Sequence, residues 1–127
     1  MFVDKALDSI GAWLARILRT ESSGYKPFTA SDPETLKKTL QPCDIVLIEG
    51  DAKIAVAIKY LTQSTWSHIV FFVGDTLDVP DSEGERPCLI EVNIEEGCVA
   101  APLSKYANTN VRICRPVGLA PADVEAL

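Results

Sequence analysis

The chain has 127 residues, which suits one domain and not two. Its composition, with 47% hydrophobic and 24% charged residues, is that of a globular domain and excludes disordered and fibrous classes. The net charge of −6 and the lack of a basic, aromatic-rich segment argue against a nucleic-acid partner, because phosphate repels an acidic surface.

The N-terminal segment, residues 1–20, is predicted to be an amphipathic helix over residues 2–19. Apolar residues recur there with the 4-3-4-3 spacing of a helical stripe, at Val3, Leu7, Ile10, Leu14 and Ile17. We expect this stripe to pack on the protein's own core. A homodimer contact and a membrane surface are the alternatives, and the membrane is disfavoured because the polar face is not especially basic.

A linker and a short helix are predicted for residues 21–40. Glu21–Ser31 is rich in turn-forming residues, including Gly24 and Pro27. Asp32 followed by Pro33 is typical of a helix N-cap and first helical position, so a helix should run from there to about Leu40.

Residues 41–118 are predicted to form a β-core. Apolar runs predict strands at Ile45–Ile48, Ser67–Val73, Cys88–Ile94, Val99–Ala101 and Val111–Arg115. The second strand is apolar almost throughout, which predicts a central position, and Gly97 favours a hairpin between the third and fourth. The predicted fold class is α+β: an antiparallel sheet or partial barrel of four or five strands with N-terminal helices.

Two connections within the β-core have their own predictions. Asp51 is expected to cap a helix over Ala52–Thr62. The apolar face of this helix is formed by Ile54, Ala57, Ile58 and Leu61. Gly74–Pro87 is acidic and rich in turn formers, which predicts a surface loop.

The last segment, residues 119–127, begins like a helix, with Pro121 near the first turn and Asp123 close behind it. No C-cap signal follows, so we expect a helix that is cut short; a frayed terminal helix is the alternative. This helix is a second candidate for a homodimer contact.

The chain has four cysteines, Cys43, Cys88, Cys98 and Cys114, and one histidine. No two cysteines have the C-x-x-C spacing, which excludes the usual zinc cluster. Three lie in or beside apolar runs, where free cysteine behaves as a small hydrophobe. With no secretory signal and no membrane-length apolar run, we expect reduced thiols, a cytoplasmic location, no metal and no cofactor.

His68 is the only histidine, and it lies at the start of a predicted buried strand. Histidine is the usual general base near neutral pH, although a single histidine is more often structural. Strand alternation places His68 on the face opposite to Ser67, which argues against a Ser-His nucleophile pair.

Glu91 lies inside an otherwise apolar strand. A carboxylate buried there needs a partner, and an imidazole on a neighbouring strand is one that it would orient. A glutamate facing water from an edge strand is the alternative, and the sequence leaves both open. Among the cysteines, Cys43 is only a weak candidate nucleophile, because none lies at a helix N-terminus beside the histidine.

Several motifs resemble the permuted papain-fold hydrolases of the NlpC-like, YiiX type. Leu40–Gly50 resembles their L-x-P-G-D-hydrophobic opening strand, and Ile58–His68 resembles their helix followed by the W-S-H histidine strand. The resemblance continues through Phe72–Asp75, Leu89–Glu91, Pro102–Tyr106 and Ile113–Pro116, and spans Leu40 to Gly118 in all. Bacterial lipo-like proteins are similar over the N-terminal helix as well.

This resemblance implies the first half of a circularly permuted papain-like fold that hydrolyses amide or ester bonds. It implies His68 as the base, Glu91 as the orienting residue, and a nucleophilic cysteine in a segment after Leu127. Trp66, Ser67 and Asn93 are expected to bind the substrate, which the sequence does not identify. The glycine of the family's first motif is Cys43 in this chain.

Two other functions compete with the hydrolase. One is a non-catalytic, oligomerising interaction module that kept the fold and lost the chemistry. The other is a lipid or acyl-chain binder, since permuted relatives of this fold include acyl-handling enzymes; an apolar tunnel near His68 would favour it.

Overall fold

A computed structural model describes residues 2–20, 32–81, 84–94 and 96–126 of the chain. The predicted linker Glu21–Ser31 lies outside the described residues. The helices are α1 (Phe2–Leu18), α2 (Pro33–Thr39), α3 (Lys53–Thr62) and α4 (Pro121–Ala126). The strands are β1 (Ile45–Glu49), β2 (His68–Phe72), β3 (Leu89–Asn93), β4 (Gly97–Ala101) and β5 (Asn110–Cys114).

The five strands form one antiparallel sheet in the order β4-β3-β2-β1-β5. The predicted α+β class, the central position of β2 and the β3–β4 hairpin are therefore confirmed. The sheet is open, with β4 and β5 as its edges, so the alternative of a partial barrel is wrong. The papain-like connectivity implied by the resemblance stays a prediction.

Strand alternation divides the side chains between two faces of the sheet. The inner face carries Val46, Ile48, His68, Val70, Leu89, Glu91 and Ala101. It is covered by Leu36 of α2, by Leu40 and by the short 3-10 helix Leu103–Tyr106, which together form the buried core. The outer face carries Leu47, Ile69, Phe71, Ile90 and Val92, and its most open member, Val92, is 66% exposed.

A tight turn leads into β1. The Asp44 N–H donates to the carbonyl of Gln41 (3.0 Å), with Pro42 and Cys43 at the corner. Cys43 has φ +75°, a left-handed conformation that glycine adopts most easily. Cys43 meets this backbone requirement with a buried side chain.

The helix that follows β1 departs from prediction in two ways. Its N-cap is Ala52 and no side chain caps it, so the cap predicted at Asp51 is wrong. Its buried residue is Ala55, which was not on the predicted apolar face, whereas Leu61 of that face is 79% exposed. Ala55 packs closely against Gly50: a Cβ added to this glycine would lie only 3.0 Å from the Ala55 Cβ.

The apolar stripe of α1 does not pack on the core. Leu7, Ile10 and Leu14 are exposed, Leu7 by 61%, so the expected core packing is wrong for them. The C-terminal end of the helix is tied to α3, where the Lys53 N–H donates to the Thr20 carbonyl (3.0 Å). Among the described residues, no helix is both long and apolar enough to span a membrane.

The two short helices α2 and α4 begin where the sequence predicted. Asp32 caps α2 by accepting from the Thr35 N–H (2.9 Å), with Pro33 in the first turn. At α4, Asp123 accepts from the Ala120 N–H (2.7 Å) just ahead of Pro121. Both caps satisfy backbone donors that no helical carbonyl can reach. The predicted surface loop Gly74–Pro87 contains no strand in its described part, and Gly74–Thr76 forms a 3-10 turn.

Candidate functional site: a histidine and a buried carboxylate

His68 and Glu91 meet on the inner face of the sheet. Glu91 lies opposite Val70 on the neighbouring strand, which makes it the diagonal neighbour of His68. The His68 Nε2 is 3.2 Å from the Glu91 Oε2. Glu91 is only 2% exposed, because β3 lies between β2 and β4, so the alternative of a water-facing edge glutamate is wrong.

Two further donors hold Glu91, and both come from the 3-10 helix Leu103–Tyr106. The Lys105 ammonium donates to Glu91 Oε1, and the Tyr106 hydroxyl donates to Oε2. Sequence analysis assigned no role to either residue, although Pro102–Tyr106 was among the motifs that resemble the hydrolase family. The only local signal was a basic and an aromatic residue side by side after the β3–β4 hairpin.

These contacts keep the Glu91 carboxyl ionised. Burial pushes its pKa upward, but hydrogen bonds from Lys105, Tyr106 and His68 outweigh burial, and the net pKa is lowered. Burial, and then the bond to Glu91, raises the pKa of Tyr106, so its hydroxyl keeps its proton and remains a donor.

The His68 ring is oriented but still accessible. Its Nε2 is turned to Glu91, and the ring lies at 35° to that of Tyr106 with 6.2 Å between centroids. The side chain is 32% exposed. No partner of Nδ1 is found in the described part of the chain, so Nδ1 is the nitrogen left to exchange a proton with a substrate or a nucleophile.

A cleft of about 520 Å³ opens beside this site, and we call it the His68 cleft. Its walls are largely apolar and include Ile48, Ile54, Ala55 and Ile58, while His68 and Lys105 supply polar groups. A mostly apolar pocket with a few convergent polar groups is the usual form of a small-molecule site.

Of the three predicted substrate-binding residues, two have side chains that are already hydrogen-bonded within the protein. The Ser67 hydroxyl accepts from the Gly50 N–H (3.0 Å), which makes it part of the turn after β1. The Asn93 side-chain NH₂ donates to Glu96 Oε2 (2.9 Å) in the β3–β4 hairpin. Trp66 lines a second groove, of about 780 Å³, whose lining also includes Ser67, His68 and Glu91.

None of the four cysteines lies at the His68 end of the inner face, and all four are free thiols. The backbone N–H of Cys43 donates to the carbonyl of Phe72. Phe72 is about 13 Å along β2 from His68, at about 3.3 Å per residue. The backbone carbonyl of Cys88 accepts from the Val73 N–H, at the end of β2 that is far from His68. Cys98 and Cys114 are on the outer face, so the structure brings no thiol, including the weak candidate Cys43, to the histidine.

No metal-binding cluster of three or more His, Cys, Asp or Glu residues occurs among residues 2–20, 32–81, 84–94 and 96–126. Comparison of the chain with models of protein families, with curated proteins and with solved structures finds no match. The resemblance to NlpC-like hydrolases therefore stays a prediction that rests on the motifs themselves.

Proposed function

We propose that this chain supplies the general base and the orienting carboxylate of a papain-like cysteine hydrolase that cleaves amide or ester bonds. The observation that carries the proposal is the pairing of His68 Nε2 with the ionised, buried Glu91. A base held in one orientation beside a cleft is the arrangement that nucleophilic catalysis requires.

The chemistry follows from this orientation. The Nδ1 atom of His68 takes the proton of a thiol, and the thiolate attacks the carbonyl carbon of the substrate. The protonated imidazole then returns the proton to the leaving amine or alcohol, which leaves a thioester that water hydrolyses with His68 again as base. Since no cysteine of this chain reaches His68, the proposed thiol belongs to a further segment or to a second chain.

Chemical rescue tests this proposal on the 127-residue chain. We would measure hydrolysis of p-nitrophenyl acetate with 2-mercaptoethanol supplied in place of the nucleophile. We expect a saturable, thiol-dependent rate about tenfold above the sum of the thiol alone and the protein alone, because general-base catalysis gives up to 10²–10⁴-fold when fully positioned.

The variants decide the result. His68→Ala should remove the thiol-dependent rate, whereas Lys38→Ala, on the exposed side of α2, should retain it. An unchanged rate in His68→Ala would sink the proposal. In any longer or assembled form that has activity, the same variant should abolish turnover with little loss of stability.

The His68 cleft favours a second function, the binding of an acyl chain. Its apolar walls and its polar end at His68 and Lys105 suit a fatty acid, with the chain on Ile54 and Ile58 and the carboxylate near the lysine. This function needs the cleft but not the basicity of His68.

Displacement of a fluorescent fatty acid separates the two functions. Ile54→Glu should weaken binding at least tenfold, because it places a charge on the apolar wall. Lys53→Glu, on the exposed neighbouring residue, is the control for the added negative charge. Equal affinity in Ile54→Glu and the wild type would exclude the cleft as the binding site.

A further inference from the structure

Three polar groups lie within hydrogen-bond distance of the two Glu91 oxygens. Lys105 occupies Oε1, while Tyr106 and His68 share Oε2. An ionised carboxylate is an acceptor only, so every group that touches it must present a hydrogen. Of these three groups, His68 alone has two tautomers and therefore a choice of which nitrogen carries the hydrogen.

We propose that Lys105 and Tyr106 are positioning residues that select the tautomer of His68: by keeping Glu91 an acceptor, they hold the hydrogen on Nε2 and leave Nδ1 as the basic nitrogen. As a statement about catalysis, this inference rests on the function proposed above. As a statement about the imidazole, it does not.

The alternative state shows why both donors are needed. If Glu91 took up a proton, its O–H would donate to Nε2, and the ring hydrogen would move to Nδ1. His68 would then point a donor, rather than a base, at any incoming thiol. Burial favours that protonated state, and the hydrogen bonds from Lys105 and Tyr106 oppose it.

Lys105 and Tyr106 can each lose their hydrogen bond to Glu91 without a large loss of packing. The Lys105 side chain is 47% exposed, so its removal leaves no large cavity. Tyr106 is buried in the core, but replacement by phenylalanine removes only the hydroxyl. Each change therefore deletes one donor to Glu91 and little else.

Nitrogen-15 NMR of the imidazole tests the inference, and it is unambiguous because His68 is the only histidine in the chain. At neutral pH we expect the wild type to show Nε2 as the protonated nitrogen. Lys105→Met and Tyr106→Phe should each shift the tautomer ratio about tenfold toward Nδ1–H, the scale of one charge-assisted hydrogen bond. Lys105→Arg should restore the wild-type ratio, and Lys38→Met is the control for loss of a lysine elsewhere.

The outcomes are distinct. Wild-type tautomer ratios in both Lys105→Met and Tyr106→Phe would overturn the inference, as would Nδ1–H in the wild type. Should Tyr106→Phe fail to fold, Lys105→Met still decides. If the NMR result holds but chemical rescue fails, the tautomer device stands and the hydrolase proposal falls; if rescue succeeds with unchanged tautomers, the reverse applies.

Discussion

The two faces of the sheet have similar apolar residues but different surroundings. On the inner face, Val70 and Leu89 are fully buried beneath α2 and the 3-10 helix. On the outer face, Ile69, the residue before Val70, and Val92, three residues after Leu89, are largely exposed. An apolar strand such as β2 is typical of burial on both faces. The apolar sequence of β2 therefore predicts that both faces of the sheet are buried, whereas the described residues bury only the inner face.

The largest expected contrast between the faces is in core packing. Leu89→Ala should lower the free energy of unfolding by about 3 kcal/mol, because it opens a cavity in the inner core. Val92→Ala should change it by less than about 0.5 kcal/mol if the outer face is open to solvent. Urea denaturation of both variants at one protein concentration measures the contrast.

A similar loss from both substitutions would contradict an open outer face. We propose a homodimer, formed through the exposed stripe of α1 or through α4, as the arrangement that such a result would support. Gel filtration over a range of concentrations, with Leu14→Glu as the α1 variant, distinguishes a dimer from a monomer. A well-behaved monomer at high concentration would count against this proposal.

The second contrast concerns arginines at the two faces of β5. Arg115, just beyond the strand, donates from Nε and Nη2 to the fully buried Asp44 at 2.9 and 2.8 Å. Arg115→Ala should be clearly destabilising, because it leaves a buried carboxylate short of donors. Arg112→Ala, on the outer face, should cost less than about 0.5 kcal/mol in thermal or urea unfolding.

The buried acids should make stability depend on pH. Hydrogen bonds from Arg115 lower the pKa of Asp44 from 3.8 despite its burial, and the pKa of Glu91 is lowered from 4.5 because its three donors outweigh burial. A lowered folded-state pKa stabilises the protein above the unfolded value, and this stability is lost as pH falls through the folded value. Unfolding free energy should therefore be level near neutrality and fall below about pH 4.5.

Arg115→Ala checks the origin of this acid dependence. Without the guanidinium, the pKa of Asp44 returns toward or above its ordinary value, so the decline below pH 4 should be shallower than in the wild type. Arg112→Ala should keep the wild-type slope. Equal slopes in all three proteins would show that Asp44 does not carry the dependence.

The smallest expected effect lies in the turn before β1. Cys43→Gly should be more stable than Cys43→Ala by about 1 kcal/mol, because only glycine adopts φ +75° without strain from a Cβ. Both substitutions remove the buried thiol, so their difference isolates the backbone. Greater stability of the alanine variant would show that the turn holds no strain.

The sequence by itself determined the local elements and one part of the site. Period-3.6 and period-2 patterns predict helices and strands, and the cap at Asp32 needs only its neighbours along the chain. Alternation predicts that His68 lies on the face opposite Ser67. The sequence left two alternatives open for Glu91, and the structure has the buried carboxylate with an imidazole partner on the next strand.

Tertiary structure decided what covers each surface and what surrounds Glu91. Lys105 and Tyr106 reach Glu91 only after the chain has turned through β4, so no local spacing announces them. Likewise, α3 places Ala55 rather than Leu61 against Gly50, and Leu7, Ile10 and Leu14 of α1 stay exposed although their period predicts burial. A local pattern states which side chains need partners, whereas docking between distant segments determines which partners they meet.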